Sequence, residues 1–353
     1  MSPVLGRAGA VAGLAVAAAA ASAAVGLAAQ RRAARSILRR DDPEAGEDLA
    51  APMGDVRVVE TDDGAHLSVE VSSTRSSSDL TLVLIHGYAL AASTWHYQFR
   101  DLADAARLVA YDQRGHGRST VGADALSVDR LAADLETVIE AVVPDGPIVL
   151  VGHSMGGMSV MALAERRPEW FGERIVGTAL LATSAHPGAA GELAIAGPWG
   201  EILRRIGPGL ASVLAPRPQL VERGLSIADD LVVVLTEHYG FGSQAPPSLV
   251  EHTKHMHAQV PVEVLAGLLP AFEDLDLADA LAPLQHTDIV IVVGETDRMT
   301  PPRLSEKLLQ LLPAADLVTL ADTGHMLMLE RYPEVNQVLR DLMVRVRRSL
   351  GAA

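Results

Sequence analysis

Ile148-Val149-Leu150-Val151-Gly152-His153-Ser154-Met155-Gly156-Gly157 decides the fold of this chain. Its first four residues are apolar and mostly β-branched, as in a strand of a parallel sheet buried on both faces. A Gly-x-Ser-x-Gly turn follows, and a helical pattern from Met158 to Arg167 then stops at Pro168. That strand, turn and helix form the setting a nucleophile elbow requires. The strand fixes the backbone, the sharp turn lifts the Ser154 hydroxyl clear of the sheet, and glycines flank it where chain segments crowd together. The free N–H groups of a helix beginning just after the serine point at developing negative charge. A glycine-rich turn that merely needs small residues is the plainer alternative, and the flanking strand and helix argue against it.

The chain around that stretch reads as strands alternating with helices. Apolar or alternating runs at Val56–Glu60, His66–Val71, Leu80–Ile85, Leu108–Tyr111, Ile175–Leu181, Asp288–Val293 and Leu317–Leu320 read as strands. With the elbow strand they number eight. Helical spacing marks Ser93–Ala105, Val128–Val142, Pro302–Leu312 and Pro333–Leu350. Such alternation implies a mostly parallel eight-stranded sheet with helices on both faces, the α/β class. Between Thr183 and His286 it stops. Pro and Gly punctuate helical apolar spacing there, and the one strand candidate, Leu231–Leu235, sits in a helical context. The expected organisation is a core of residues 55–182 and 287–353, a helical cap of residues 183–286 and a linker of residues 41–54. An N-terminal hydrophobic segment with a basic flank makes up residues 1–40.

That N-terminal segment poses a topological question. Ala8 to Ala29 carries no charge, and as a helix it spans about 33 Å against a hydrocarbon core of about 30 Å. Arg31, Arg32, Arg35, Arg39 and Arg40 follow it, while only Arg7 precedes it. The positive-inside rule then predicts a single-pass anchor through residues 8–29 with the catalytic body in the cytoplasm. Ala21-Ser22-Ala23 offers the rival reading, export after signal cleavage. An Ala-rich helix lying on a surface is the third.

Composition excludes several classes. The formal net charge is −15, and the arginines ahead of Asp41 make the remainder more acidic still. A body of that sign repels phosphate backbones, so nucleic acid is not an expected partner. The chain has no cysteine, which removes disulfides, thiolate metal sites and a cysteine nucleophile. His252, His255 and His257 do not share one helical face, so no metal and no other cofactor is expected.

A serine hydroxyl becomes a competent nucleophile only when a base takes its proton and a carboxylate holds that base in the right tautomer. Asp297 lies four residues past Val293, and His325 lies five past Leu320. Each is where the carboxyl end of a strand would present it, in the order serine, acid, histidine. Glu295 and Asp322 are the nearest competitors for the acid.

Five motifs in order now carry a resemblance. They are His86-Gly87-Tyr88; Asp112-Gln113-Arg114-Gly115-His116-Gly117-Arg118-Ser119; Gly152-His153-Ser154-Met155-Gly156-Gly157; Gly294-Glu295-Thr296-Asp297 with Pro301; and Gly324-His325. From Val56 onward the chain resembles the α/β-hydrolase family. The resemblance implies an oxyanion hole made by the backbone N–H groups of Tyr88 and Met155. It also implies a serine esterase or lipase-like activity on a small-molecule ester, acyl or lipid-like, because the family's epoxide hydrolases and dehalogenases carry aspartate at the elbow. A cofactor-free perhydrolase or carbon–carbon bond hydrolase would use the same triad, and a non-catalytic ligand-binding protein is the alternative of a different kind. His86, His116, Asp112 and Arg114 read as loop-orienting residues, and Trp95 and Tyr97 as core.

Overall fold

Alternation within each central strand sends its side chains to two different cores. A computed structural model describes residue 26 and residues 28–73, 80–186, 230–273 and 275–351. In β3 (Thr81–Ile85), Val83 and Ile85 enter one apolar cluster while Leu82 and Leu84 enter the other. In β5 (Ile148–His153), Ile148 and Leu150 divide from Val149 and Val151 in the same way. The period of two explains why these strands read as unbroken apolar runs: both faces are covered.

The other strands are β1 (Asp55–Glu60), β2 (His66–Val71), β4 (Arg107–Tyr111), β6 (Ile175–Leu181), β7 (Asp288–Gly294) and β8 (Asp316–Leu320). They form one eight-stranded sheet in the order β1-β2-β4-β3-β5-β6-β7-β8. The β1–β2 and β2–β4 pairs are antiparallel, and every pair from β4 to β8 is parallel. Helices α1 (His96–Leu102), α2 (Val128–Val142) and α3 (Met155–Arg166) follow β3, β4 and β5. Ser127 caps α2, its Oγ accepting from Arg130 N–H at 3.0 Å. The connection from β6 to β7 includes a helical stretch at 230–240, then α4 (Pro247–Gln259) and α5 (Val262–Glu273). The strand candidate Leu231–Leu235 is therefore helix. Helices α6 (Pro302–Leu311), α7 (Leu327–Glu330) and α8 (Tyr332–Gly351) complete the chain. Residues of α2, α3 and α6 fill one core, and those of α1 and α8 fill the other.

Register aligns the carboxyl ends of the parallel strands. Ile85 pairs with both Tyr111 and Gly152, Gly152 with Leu180, Leu180 with Ile291, and Gly294 with Leu320. The loops after β3, β4, β5, β6, β7 and β8 consequently share one edge. Backbone strain gathers there. Among the described residues, the non-glycine positions with positive φ are Ala89, Ser154, Ala182 and Asp322, at 59°, 52°, 47° and 50°. Each lies in a loop directly after a strand on that edge.

The N-terminal expectation is corrected. No helix among the described residues is long and apolar enough to cross a membrane. The transmembrane anchor through residues 8–29 therefore has no support, nor do the single-pass topology and membrane location built on it. Residues 8–25 and 27 of that segment lie outside the described residues. Its length permits a span, but alanine and glycine dominate it and give little transfer energy per residue. Part of the segment that carries the basic flank packs on the body. Residues 28–37 are helical, with Ala34 and Ile37 buried in the core shared with α1 and α8. Arg31 lies 3.8 Å from Asp230, and Arg40 pairs with Glu237. Asp42 then accepts from the N–H and hydroxyl of Ser248 at 3.0 and 2.7 Å, so residues 28–53 lie against the body.

Candidate active site

Ser154 is held at φ 52° and ψ −117°, between the last residue of β5 and the first of α3. A non-glycine residue in that region costs on the order of 1–3 kcal/mol and persists only where its surroundings enforce it. They do so from both sides. Ser154 N–H donates to Leu181 O at 2.9 Å, and Ser154 O accepts from Gly157 N–H at 2.9 Å and from the Thr183 hydroxyl at 2.7 Å. A Cβ on Gly156 would stand 2.2 Å from Ile85 O, and one on Gly152 would stand 2.6 Å from Gly156 O. Only glycine fits at either place. The helix begins at Met155, three residues earlier than its apolar spacing suggests, because Gly156 and Gly157 obscure the first turn. The Met155 N–H is therefore the first of that helix and lies beside the serine.

Asp297 and His325 come together across two loops. His325 Nδ1–H donates to Asp297 Oδ2 at 2.9 Å, and both side chains are buried. The acid is nearly saturated: its Oδ1 accepts from Met299 N–H at 2.7 Å and Thr300 N–H at 2.9 Å. Its Oδ2 also accepts from the Thr300 hydroxyl at 2.8 Å, and that hydroxyl lies 3.2 Å from His325 Nδ1. Committing Nδ1 to the carboxylate leaves Nε2 as the nitrogen with the lone pair, the tautomer a general base needs. The competitor Glu295 is engaged elsewhere, its carboxylate accepting from Asp322 N–H at 3.2 Å.

His153, next to the serine in sequence, packs against the histidine loop. Its Nε2–H donates to His325 O at 3.0 Å, and the two rings lie 4.7 Å apart. Complete burial pushes its pKa well below the ordinary value, so it is neutral. On the other side, a Cβ on Gly87 would stand 2.8 Å from His153 Nδ1 and 3.1 Å from Ser154 Cβ. The backbone that carries Tyr88 is thereby pressed against Ser154.

Two further buried histidines, His86 and His116, act as rigid struts. His86 Nδ1–H donates to Gly87 O at 2.7 Å while Nε2 accepts from Gln113 N–H at 2.9 Å. His116 Nδ1–H donates to Arg114 O at 2.9 Å while Nε2 accepts from Ala89 N–H at 3.2 Å. Burial lowers their pKa values to about 4 and about 3. Each is a neutral ring bridging two loops. Asp112 accepts from Ala92 N–H at 2.7 Å and Arg118 N–H at 3.0 Å. Arg114, fully buried, grips Asp134 through two bonds of 2.6 and 2.7 Å and Asp63 through bonds of 2.9 and 3.2 Å. On α4, His252 is buried and His255 exposed.

Sequence reasoning missed two residues here. Thr300 was legible only as a residue before a proline. Glu330, five residues past His325 at the end of α7, accepts from Gly324 N–H at 2.8 Å, from Ser243 N–H at 2.8 Å, from the Ser243 hydroxyl at 2.6 Å and from Gly242 N–H at 3.0 Å. Met326 N–H donates to Gly240 O at 2.7 Å. Both neighbours of His325 are therefore tethered to residues 240–243.

A model of the Alpha/beta hydrolase family matches residues 82–338. The chain belongs to the α/β-hydrolase family. Among relatives, it is 26% identical to the pimeloyl-[acyl-carrier protein] methyl ester esterase of Sodalis glossinidius over 71% of this chain and 89% of that protein. A likeness to Epoxide hydrolase 1 of Caenorhabditis elegans, 38% identical, spans only 27% of this chain and 24% of that protein. A thermophilic esterase from Thermogutta terrifontis superposes with a TM-score of 0.61 at 25% identity, over 83% of this chain and 99% of that one. This α/β-hydrolase thus matches that esterase over most of its chain rather than over a single motif.

Proposed function

We propose that this α/β-hydrolase is a serine esterase acting on small aliphatic acyl esters through an acyl-enzyme. The observation that carries the reading is the buried Asp297–His325 hydrogen bond, on the same sheet edge as the strained elbow of Ser154. Ser154 Oγ attacks the ester carbonyl as His325 Nε2 takes its proton. The tetrahedral oxyanion is received by the N–H groups of Met155 and Tyr88, each worth about 3 kcal/mol in the transition state. His325 then hands the proton to the leaving alkoxide, and the C–O bond to it breaks. A water molecule, deprotonated by the same nitrogen, attacks the acyl-enzyme; the acyl C–O bond to Ser154 breaks as His325 returns the proton to Oγ, releasing the acid and the free serine. Asp297 holds the imidazole in the tautomer this cycle needs and stabilises the imidazolium.

Residues 183–286 serve in this reading as a cap that shapes the acyl site. Its helix α5 contributes Val264, Leu268 and Phe272 to the cluster against which Tyr88, Leu126 and Leu265 pack. An apolar lining of that kind favours aliphatic acyl groups. The relatives with esterase names support the ester chemistry, and serine rather than aspartate at position 154 argues against epoxide opening.

Labelling with a fluorophosphonate probe tests the mechanism. Wild type should label and Ser154→Ala should not; an unlabelled wild type overturns the hydrolase reading. Across p-nitrophenyl esters of increasing chain length, kcat/KM should favour aliphatic acyl groups. A preference for aryl or bulky polar esters overturns the substrate class.

A further inference from the structure

The loop that presents the Tyr88 N–H is anchored on one side only by the core. On that side His86 and His116 hold Gly87 O, Gln113 N–H and Ala89 N–H, as described above. Ala89 itself sits at φ 59°, a conformation an alanine leaves when its restraints are removed. On the other side the anchor is the Tyr88 side chain. Its hydroxyl donates to Leu265 O of α5 at 2.8 Å, and its ring meets Phe272 edge-on at 5.5 Å and 88°. Leu265 and Phe272 are seven residues apart and so share a face of α5. Pro270, inside the same helix, has no N–H to give the Ala266 carbonyl, which loosens the regular bonding next to the acceptor. Burial holds the Tyr88 phenol well above its ordinary pKa, so it remains a donor throughout the working pH range.

Helix α5 meets the catalytic edge at other points as well. A Cβ on Gly115 would stand 2.7 Å from Val264, and one on Gly267 would stand 2.8 Å from Leu126. The helix is seated flush on the loops after β3 and β4, and the tyrosine hydroxyl is its polar link to the strained one.

We propose that Tyr88 is a positioning residue whose side-chain bond to Leu265 O makes the oxyanion hole depend on the seating of α5. The proposal rests on the hydrolase reading above. When α5 is seated, the bond holds the Tyr88 peptide against Ser154 with its N–H in the hole. When α5 is displaced, Ala89 relaxes and that donor turns away, while Met155, fixed by α3, stays. The helix that shapes the acyl site thereby also completes the machinery that reacts with the acyl carbonyl. Seating by a well-fitting acyl chain raises kcat rather than only lowering KM.

Tyr88→Phe keeps the ring and its packing and deletes the bond. For a short p-nitrophenyl ester, kcat should fall by about tenfold with KM little changed, because one hole donor is misplaced rather than removed. An alkyl trifluoromethyl ketone, whose hemiketal oxyanion on Ser154 occupies the same hole, should lose affinity by the same factor as kcat/KM. A merely structural tyrosine would lower the melting temperature and leave the ratio of ketone affinity to kcat/KM for the ester on another line. Gly267→Leu, remote from the reacting atoms, should lift α5 off Leu126 and reproduce the signature. In the double variant the two effects should not add, since both cut one link.

Wild-type kcat and ketone affinity in Tyr88→Phe, or additive effects in the double variant, overturn the proposal. A failure of Tyr88→Phe to fold leaves Gly267→Leu to decide: a shift in KM alone overturns the proposal, and a matched loss of kcat and ketone affinity supports it. A wild type that neither labels with fluorophosphonate nor binds the ketone overturns the hydrolase reading first, and this proposal falls with it.

Discussion

Thr300 Oγ donates to Asp297 Oδ2 at 2.8 Å, on the oxygen that also receives the Nδ1–H of His325 at 2.9 Å. The hydroxyl therefore competes with the imidazole for the same negative charge. It also helps the Met299 and Thr300 N–H groups fix the carboxylate opposite the imidazole, so Thr300→Val should lower kcat roughly tenfold with KM little changed. Thr300→Ser keeps the donor and should keep kcat. A wild-type kcat in the valine variant would show that the hydroxyl only fills space.

Glu330 binds donors from two separate parts of the chain, Gly324 beside the histidine and Gly242 with Ser243 in the β6–β7 connection. Glu330→Ala orphans amides that are partly buried, at about 1–3 kcal/mol. The histidine loop loses one of its two tethers. Denaturant melts should show that loss, and kcat should drop with fluorophosphonate labelling slowed in parallel. Glu330→Gln, which keeps one carbonyl oxygen but faces the amides with an NH2, should fall between the two. Stability and labelling rate both equal to wild type would refute the clamp.

The strands were legible because parallel strands covered on both faces must be apolar at every position, as at Leu82–Ile85 and Ile148–Val151. Asp297 and His325 were legible as loop residues because each follows such a run at a short offset. Thr300, Glu330 and Leu265 were not, since their roles arise from which loops meet in space, 25, 88 and 177 residues apart along the chain. The first turn of α3 was hidden by Gly156 and Gly157, which are poor helix formers placed there for clearance. The anchor reading failed for a different reason. An uncharged length of 22 residues satisfies the geometry of a span, but the neighbouring arginines obey local ion pairing with Asp230 and Glu237, which a count of flanking charges does not see.

Arg114 has no exposed side-chain surface and bonds to two carboxylates, Asp134 and Asp63, that are themselves buried. Its fork geometry matches both, so a lysine cannot replace it. Arg114→Met, which removes the charge, should destabilise the fold by about 3–5 kcal/mol, since it leaves buried carboxylates uncompensated. Urea unfolding of the variant measures this. A cost below about 1 kcal/mol, the range of surface pairs, would mean that the network is solvated in solution.

The histidine struts set the acid side of the stability profile. His86 and His116 are held neutral by burial, with folded pKa values of about 4 and about 3 against 6.5 for a free side chain, and His153 is shifted the same way. A histidine whose folded pKa is depressed binds its proton in the unfolded state first. Its contribution is complete above pH 6.5 and is lost as pH falls toward the folded values. At pH 5 the unfolded chain should take up between about two and three protons from these three groups alone, a slope of roughly 1.4 kcal/mol per pH unit for each. Denaturant melts at pH 7, 6 and 5 should show stability falling steadily over a range in which exposed carboxylates barely titrate. His116→Asn removes one titrating ring, whatever its own cost at pH 7, and should flatten the slope by about one proton. A pH-independent stability between 7 and 5 would mean that these rings already carry protons in the folded protein, and the bonds from Gln113 N–H and Ala89 N–H could then not exist as described.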